Sequence, residues 1–512
     1  MYIIIFQYNF QIFIMIILAV LLLAVCVYWM RWSARAQRMD RMTSKLPVPP
    51  TLPLIGNATI FMGDTQQILK NLWSVAHLAF KHKNSAKIWL GPKLYVAIAD
   101  PADAQVVLEN CLDKDSVYRF LRPWLGHGLF VAPVDLWKSH RKVLLPIFHN
   151  KVVEEYLDVI AEQGNVLVGR LQEQLNKENF DVLKYITACT LDIVFETAMG
   201  ERMDVQRNPD TPYLRARHTV MEILNMRFFK VWLQPDLLFN LTHYAKQQIE
   251  NILITHKFTD KVVQKKRLEY ERNKDENASQ KPPEGKPRAV LDLLFGREID
   301  FTNEQLREHI DSITIAGNDT TALVIAYTLV LLGMHQDAQE KVFLEQQSIF
   351  GNTSKSPTKE DLQKMFYLER VIKESMRLYT VVPIIARNID KDIYLPTSDV
   401  TVPAGAGAVI GAFAVHRSAV WGPDPDVFDP DRFLPDRSAG RHPAAFIPFS
   451  YGSRNCIGRN FGMLIMKSLL SIIVRSYKIE ADDIGALKVE VLLFPINGHQ
   501  IKIRKRINLS KK

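Results

Sequence analysis

A single cysteine in an unusual setting is the first candidate for chemistry. Cys456 lies in the stretch FSYGSRNCIGRN, residues 449–460, together with arginines and glycines just before an apolar run. A thiolate that binds a metal needs its charge stabilised, and backbone N–H groups at the start of the following helix can do this. Gly452 and Gly458 allow sharp turns and a close approach to a flat ligand. The stretch therefore predicts a thiolate ligand for a planar, metal-containing group.

Two further residues of this stretch complete the pattern. Phe449 can shield the sulfur from water, and Arg454 can form a charge-assisted pair with a carboxylate. These requirements describe a loop for haem held by cysteine. The pattern resembles the haem-binding signature of the cytochrome P450 superfamily, and ordered motifs extend the resemblance over nearly the whole chain. The resemblance implies a mainly α fold with small β-sheets, haem b as cofactor, and Cys456 as its axial iron ligand.

A polar segment inside a long apolar helix is the second candidate. Residues 316–321 read Ala-Gly-Asn-Asp-Thr-Thr, and buried polar residues cost stability unless they have a partner or a role. The Thr320 hydroxyl can bond the carbonyl of Ala316, and Gly317 loosens the same turn. The resemblance implies that Thr320 and Asp319 are catalytic, with a hydroxyl that supports oxygen activation and a carboxylate that relays protons.

Arginines elsewhere in the chain suit the carboxylates of haem. Trp137 and Arg141 stand one helical turn apart, and Arg387 lies on a predicted strand. By resemblance, Trp137, Arg141 and Arg387 lie at the haem propionates together with Arg454. Three arginines for two carboxylates would neutralise a buried dianion.

A pair of charges at helical spacing predicts a structural element. Glu374 and Arg377 share one helix face and can form an ion pair. The resemblance identifies them as the Glu-x-x-Arg motif, with Arg432 in Pro430–Phe433 as third partner. The three residues are then a structural triad behind the haem loop rather than catalytic groups.

The resemblance is nearest to the family-4 branch, which is rich in fatty-acid hydroxylases, and to its insect members. It rests on YLERVIKESMRLY, on Val-Pro-x-x-x-Arg at 382–387 and on PDPDVFDPDRF. That branch often carries a glutamate, which forms an ester bond to haem, where this chain has Ala316. We therefore predict non-covalent haem.

Apolar residues near 117–131, 313–316 and 381–385 are predicted pocket walls, which fits a lipophilic substrate.

The elements that must position these residues begin with an apolar N-terminus. Ile12–Met30 is 19 residues without a charge, and as a helix it would extend about 28 Å. Basic residues follow, and the positive-inside rule places the rest of the chain in the cytosol. We expect a membrane anchor at 1–30, a basic and proline-rich hinge at 31–57, and a haem-thiolate monooxygenase domain at 58–512. The predicted location is the endoplasmic reticulum membrane.

The body is predicted to be mainly helical. Apolar periodicity predicts helices at Val152–Leu175, Asp181–Met199, Asn303–Leu332, Leu362–Leu378 and Arg459–Ser476. Predicted strands are Ala86–Leu90, Leu94–Ala99, Ile384–Asn388, Val400–Val402 and Gln500–Arg504. The charged stretch Asn273–Arg288 is a predicted surface loop.

Composition narrows the function classes. The four cysteines form no CxxC pair, which argues against a disulfide scaffold and a structural zinc site. The net charge of +9 comes without a basic, aromatic-interleaved stripe, so we expect no nucleic-acid partner. The resemblance implies electrons from NADPH-cytochrome P450 reductase, O2 as cosubstrate and cytochrome b5 as a second partner. Two alternatives stay open: a haem-thiolate isomerase or dehydratase of hydroperoxides, and a non-enzymatic haem or lipid carrier.

Overall fold

The computed structural model describes residues 2–275 and 287–506, so most of the predicted loop Asn273–Arg288 lies outside the described residues. The architecture is mainly helical with small β-sheets, as predicted. The helices are α1 Tyr2–Met42, α2 Thr65–Phe80, α3 Pro101–Asn110, α4 Arg122–Leu125, α5 Val134–Leu144, α6 Asn150–Val153, α7 Leu157–Gln172, α8 Leu183–Val194, α9 Pro212–Phe229, α10 Asp236–Asn240, α11 His243–Asp275, α12 Val290–Leu294, α13 Asn303–Met334, α14 Gln336–Phe350, α15 Lys359–Gln363, α16 Phe366–Leu378, α17 Ala412–Val415, α18 Pro435–Ser438 and α19 Arg459–Ser476. The strands are β1 Ser85–Leu90, β2 Lys93–Ile98, β3 Phe180–Asp181, β4 Ile384–Asn388, β5 Ile393–Leu395, β6 Val400–Val402, β7 Gly407–Gly411, β8 Tyr477–Glu480, β9 Leu487–Val489, β10 Leu493–Pro495 and β11 Gln500–Lys505.

The core is built around α13. Its first turn is closed by a capping box, in which Thr302 and Gln305 satisfy each other's backbone N–H groups. Residues 322–332 are apolar on every side except at Thr328 and are buried throughout, which is the pattern of a helix inside the core. Helices α7, α8, α16 and α19 pack around this half. By length and composition both α13 and the segment Ile12–Met42 could cross a membrane, but α13 is mostly buried in protein whereas the N-terminal segment is exposed.

A four-stranded sheet in the order β1-β2-β7-β4 positions one of the candidate site residues. Strand β4 starts six residues after α16 ends and pairs antiparallel with β7, so that Arg387 faces Ala408 in the register. Strand β7 also pairs with β2, in parallel. Arg387 is thereby held by a central sheet and is buried.

Several predicted helices are interrupted where tertiary contacts cap the backbone. The affected predictions are Val152–Leu175, Asp181–Met199 and Leu362–Leu378. A 3₁₀ turn separates α6 from α7, and a π-helical turn at Phe195–Met199 follows α8. Phe180–Asp181 pairs with β11 as a strand instead of starting a helix. The Glu345 carboxylate of α14 accepts the backbone N–H groups of Tyr367 and Leu368, and α16 therefore starts anew after α15.

Helix α1 continues beyond the apolar segment onto the body. Met39, in the last turns of α1, and Leu46, just beyond the end of α1, are buried against the β5–β6 region. Ion pairs add to this contact: Lys87 Nζ to Asp40 at 2.5 Å, Arg38 to Asp392 at 2.9 Å and Lys45 to Asp399 at 2.6 Å. The first part of the predicted hinge is thus helical and is packed on the body.

Candidate functional site

The cysteine loop is held by its own backbone. Cys456 N–H donates to the carbonyl of Phe449 at 2.8 Å, which closes the loop just before α19. Gly452 has φ +72°, and a Cβ there would lie 2.7 Å from the Leu108 carbonyl oxygen. Glycine is therefore required at 452. Gly458 has an ordinary φ of −85°, so the predicted need for glycine in a sharp turn does not apply there. A Cβ at Gly458 would have Cys456 Sγ as its nearest neighbour, at 4.0 Å.

The Cys456 sulfur borders an internal cavity. Burial raises the pKa of its thiol, while the Gly458 N–H and the charges of Arg141 and Arg459 lower it. The side chain is nevertheless uncovered by protein. A group that is surrounded by protein atoms yet uncovered lies at a cavity rather than at the outer surface. A backbone donor and two cations around this sulfur suit a thiolate.

One face of α13 is partly uncovered although the helix is mostly buried. The residues on this face are the exposed Ala316 and the half-buried Ile313, Gly317 and Thr320, while Ile315 and Asp319, also half-buried, lie to either side. Ile313, Ala316, Gly317 and Thr320 are spaced three or four apart and therefore share a helix face. The start of α19 packs beside this face, since a Cβ at Gly462 would lie 3.8 Å from Thr321 Oγ1. We call these four residues the distal wall, and the loop Phe449–Gly458 the cysteine loop.

The predicted bond within the distal wall is present. Thr320 Oγ1 donates to the Ala316 carbonyl at 2.7 Å. The neighbouring Asp319 is held from the other side, by an ion pair with Arg217 of α9 and by Asn318 Nδ2 at 3.1 Å. Asn318 in turn accepts a hydrogen bond from Thr190 at 2.6 Å. Sequence reasoning missed Arg217, because it stands 102 residues from its partner and no local pattern marks it.

Three cations lie close together, and in the described part of the chain the Asp113 carboxylate acts on Arg387 and Arg454 from a distance without forming an ion pair with them. Arg454 donates to the carbonyls of Leu112 at 2.6 Å and Ala132 at 2.5 Å, and Arg387 donates to that of Ala386 at 3.1 Å. Within residues 2–275 and 287–506, the buried Nε atoms of both arginines have no hydrogen-bond partner.

Lys114 is the third cation, and sequence reasoning missed it because a loop lysine is normally solvated. Burial, together with Arg387 and Arg454, holds the pKa of Lys114 well below its usual value. Burial also lowers the pKa of Arg454 to about 10. The Lys114 ammonium lies over the rings of Phe130 and Tyr118, 3.5 and 4.6 Å from their centres. Buried cations cost stability unless an anion joins them, so this cluster fits a dianionic group such as the two haem propionates.

Trp137 and Arg141 connect α5 to the cysteine loop. Arg141 donates to the Asn455 carbonyl at 2.9 Å and to its side-chain oxygen at 2.6 Å. Trp137 is buried between two guanidinium groups, with Arg454 5.0 Å and Arg141 5.7 Å from its ring. Both predicted residues thus lie at the site, and Arg141 braces the neighbour of Cys456.

The predicted triad is assembled in the protein interior. Glu374 and Arg377 are fully buried and form two parallel hydrogen bonds of 2.7 Å. Arg432 approaches Glu374 at 3.6 Å and donates to the carbonyls of Trp421 at 2.6 Å and Asp424 at 2.5 Å. Charged side chains this deeply buried are stable only when ion pairs and hydrogen bonds satisfy them, as they do here.

Comparison with known proteins agrees with this geometry. The family model described as Cytochrome P450 matches residues 46–503. The chain is 36% identical over 489 residues to "Cytochrome P450 4V2" of Homo sapiens, covering 93% of this chain and 92% of the relative. It is 36% identical over 504 residues to "Cytochrome P450 4c3" of Drosophila melanogaster, covering 95% and 94%. These relatives confirm the resemblance to the family-4 branch.

Solved structures show the same fold. The crystal structure of the cytochrome P450DA heme domain superposes with a TM-score of 0.78 at 21% identity, covering 90% of this chain and 98% of that one. Cytochromes P450 hold haem iron by a cysteine thiolate, and the surroundings of Cys456 suit a thiolate. The chain therefore belongs to the cytochrome P450 family and is a haem-thiolate monooxygenase.

Proposed function

We propose that this enzyme inserts one oxygen atom from O2 into a lipophilic substrate, with NADPH-derived electrons delivered by NADPH-cytochrome P450 reductase. The proposal is supported by the cysteine loop, in which a backbone N–H and two cations act on Cys456, and by the cluster of Lys114, Arg387 and Arg454. Fatty acids, terpenoid hormones and xenobiotics are the substrate classes that an apolar cavity suits. The half-buried Val117 and the exposed Phe130 and Val382 supply apolar surface in the predicted pocket walls.

The geometry of the site supports the following assignment of cofactor residues. Cys456 would ligate the iron of haem b, with Phe449 and Gly458 beside the sulfur. Arg387, Arg454 and Lys114 would bind the propionates, while Trp137 and Arg141 support them. When bound, haem supplies the iron that activates dioxygen, and electron donation from the thiolate favours O–O cleavage.

Proton supply is assigned to the distal wall. The Thr320 hydroxyl donates its hydrogen to the Ala316 carbonyl. The Thr320 oxygen can therefore accept a further hydrogen bond at the cavity. Asp319 is the neighbouring acid, and exchange of its Arg217 contact for water would connect it to solvent. The two residues together can hold and pass a proton to the cavity.

We propose that haem is bound without a covalent link. The methyl group of Ala316 has no carboxylate with which to form an ester. Acid organic solvent should extract all haem from the purified protein, whereas Ala316→Glu, which introduces the carboxylate at the same distal-wall position, should retain part of it. Haem that stays on the wild-type polypeptide would refute non-covalent binding.

Electron donors are proposed to dock at a basic surface near the cysteine loop. Lys138, Lys142 and Arg459 are exposed on α5 and at the start of α19. Complementary charge steers association with an acidic partner, which suits the reductase and cytochrome b5. Attraction of Lys138 and Arg459 to an acidic partner should make turnover fall as salt is raised. Lys142 contributes less, because it pairs with Glu298 at 3.1 Å.

A membrane location fits two exposed apolar surfaces. Helix α1 is one. The other surrounds the contact between Phe61 and Phe229, whose ring centres are 6.4 Å apart. Its exposed residues include Leu54, Met62, Trp232, Leu237 and Leu241. Such a patch on a soluble face would be a liability, whereas lipid would cover it.

We propose a single-pass anchor in the endoplasmic reticulum with a cytosolic body. The sequon Asn240-Leu-Thr242 then stays unglycosylated, although Asn240 is exposed. Glycosylation at this site in microsomes would reverse the proposed orientation.

The function is tested in two steps. A carbon monoxide difference spectrum of the reduced protein should show thiolate ligation. Product formation should then require NADPH, reductase and O2 together. Turnover of a lipid hydroperoxide without reductase would favour the isomerase alternative, and absence of any turnover with a normal spectrum would favour a carrier. Fatty acids, terpenoids and toxins form the substrate panel.

A further inference from the structure

A buried histidine stands between the structural triad and the cysteine loop. His416 directly follows α17 and is fully buried. Its backbone carbonyl accepts a hydrogen bond from Arg377 Nη1 at 3.0 Å. Its ring lies against Phe446, with ring centres 5.4 Å apart. The residue thus contacts the triad with its main chain while its ring faces the segment that leads to the loop.

Both ring nitrogens of His416 have defined roles. Nδ1 is 2.8 Å from Thr380 Oγ1, whose single hydrogen is directed to the carbonyls of Met376 and Arg377. The backbone N–H of Ile447 can only donate, so Nε2 must accept it; in the neutral ring Nδ1 then carries the hydrogen and donates to the Thr380 hydroxyl. The distance from the Ile447 nitrogen to Nε2 is 2.9 Å. The ring must be neutral for this, since an imidazolium has no free lone pair.

The anchored Ile447 supports a strained turn. Its carbonyl accepts the N–H of Ser450 at 3.0 Å, and Ser450 has φ +62°, a region that side-chain-bearing residues rarely adopt. Phe449, beside Ser450, supplies the carbonyl that accepts the Cys456 N–H. The chain of contacts therefore runs from Arg377 through the ring of His416 to the backbone beside the sulfur.

We propose that His416 is a positioning residue that fixes the cysteine loop relative to α16 and so sets the place of the Cys456 sulfur. The triad alone holds the polypeptide behind the loop and makes no direct bond to residues 447–456. His416 supplies that bond. This inference rests on the proposed role of Cys456 as iron ligand.

The test compares two buried histidines in the full-length, haem-loaded protein. His416→Ala removes the link, whereas His499→Ala removes a buried ring of the same size whose nitrogens have no hydrogen-bond partner in the described part of the chain. The readouts are haem content and the ratio of thiolate-ligated to thiol-ligated carbon monoxide complex. The loss of one buried hydrogen bond should lower this ratio about tenfold in His416→Ala. His499→Ala should keep the wild-type ratio, and an equal ratio in both variants would overturn the proposal.

Rescue variants identify the bond that matters and cover the case in which His416→Ala fails to fold. His416→Gln can place its amide oxygen near the Nε2 position and accept the Ile447 N–H. His416→Asn can place its amide nitrogen near the Nδ1 position and donate to Thr380. We expect Gln to recover most of the thiolate form and Asn little of it. Equal recovery by both would refute the assigned link. A wild type without a thiolate-type spectrum would instead refute the proposed function.

Discussion

The two sides of the haem site differ in how their polar groups are satisfied. On the cysteine-loop side, Glu374, Arg377 and His416 are fully buried and find their partners within the protein. On the distal side, Thr320 is half-buried, and Asp319 is held by a partly accessible ion pair with Arg217. A buried, fully bonded network has one low-energy arrangement, whereas the side chains of Arg217 and Asp319 are 10% and 20% exposed and so keep some contact with solvent. The first side is therefore suited to hold a ligand in place and the second to admit substrate and protons.

Breaking the triad should have the largest effect. Arg377→Ala leaves Glu374 as a buried, unpaired carboxylate, which typically costs about 3–5 kcal/mol of folding free energy. We expect purified Arg377→Ala to contain little haem. The control is Arg370→Ala on the same helix, because Arg370 pairs with Asp431 at 3.3 Å in a half-buried setting. Haem content and thermal unfolding measure both. A haem-replete, stable Arg377→Ala would contradict the structural role of the triad.

Replacing Lys114 should stabilise the haem-free protein and weaken its hold on haem. Lys114→Met relieves repulsion from Arg387 and Arg454 and should stabilise the haem-free protein. It also removes a charge-assisted bond to the propionates, worth about 1.5–3 kcal/mol, and should accelerate haem transfer to apomyoglobin. Lys138→Met, at an exposed position of α5, serves as control. Unchanged haem transfer in Lys114→Met would place Lys114 outside the cofactor site.

Acid should weaken both sides through one buried histidine each. Burial lowers the pKa of His309, on α13, and of His416 to about 3 from the usual 6.5. The unfolded chain thus binds protons that the folded chain excludes. The contribution of each neutral ring to the free energy of unfolding is fully present above pH 6.5. Below pH 6.5 this contribution decreases by up to about 1.4 kcal/mol per pH unit. Denaturant unfolding between pH 7.5 and 5 should show this slope, and His309→Gln should reduce it by one proton. An unchanged slope would mean that His309 can be protonated in the folded protein.

Opening the distal ion pair should change turnover more than stability. Arg217→Gln frees Asp319 and alters proton delivery, which should shift the solvent isotope effect on turnover several-fold. Arg215→Gln on the same helix loses only an exposed pair with Asp210 and is the matched control. Identical isotope effects in the two variants would remove Arg217 from the proton path.

The smallest structural change should be at Thr320. Thr320→Ala should leave folding within about 0.5 kcal/mol of wild type, as for a partly exposed site. It should divert NADPH consumption from product to peroxide. Thr328→Ala removes the same type of back-bond on the same helix, from Thr328 Oγ1 to the Val324 carbonyl at 2.7 Å, inside the core. Coupling of product to NADPH should fall in Thr320→Ala alone, and equal coupling in both variants would reject the role of Thr320.

Features encoded within a short stretch could be predicted from the sequence. The bounds of α19, β4 and β6 agree with the predictions, and so does the bond from Thr320 to Ala316. Each depends on neighbours within a few residues. The Glu374–Arg377 pair was likewise predictable, because the i, i+3 spacing forces proximity.

Contacts between distant segments could not be predicted from one sequence. Arg217 meets Asp319 only because α9 crosses α13. Lys114 lies beside Arg387 of β4 through an isolated bridge between segments that are distant in the sequence. The break before α16 depends on a carboxylate of another helix. Local propensity does not contain such information, since tertiary packing decides it.

The continuity of α1 has a consequence for motion in the bilayer. Because the helix runs from the apolar segment onto the body and is fixed there by Met39, Leu46 and three ion pairs, the prolines at 47–53 lie beyond the junction rather than at it. Anchor and body would then tumble about the membrane normal as one rigid particle. In the proposed membrane-bound state the body would keep a constant height above the lipid, and an encounter with an electron donor would require lateral diffusion and rotation of the whole molecule.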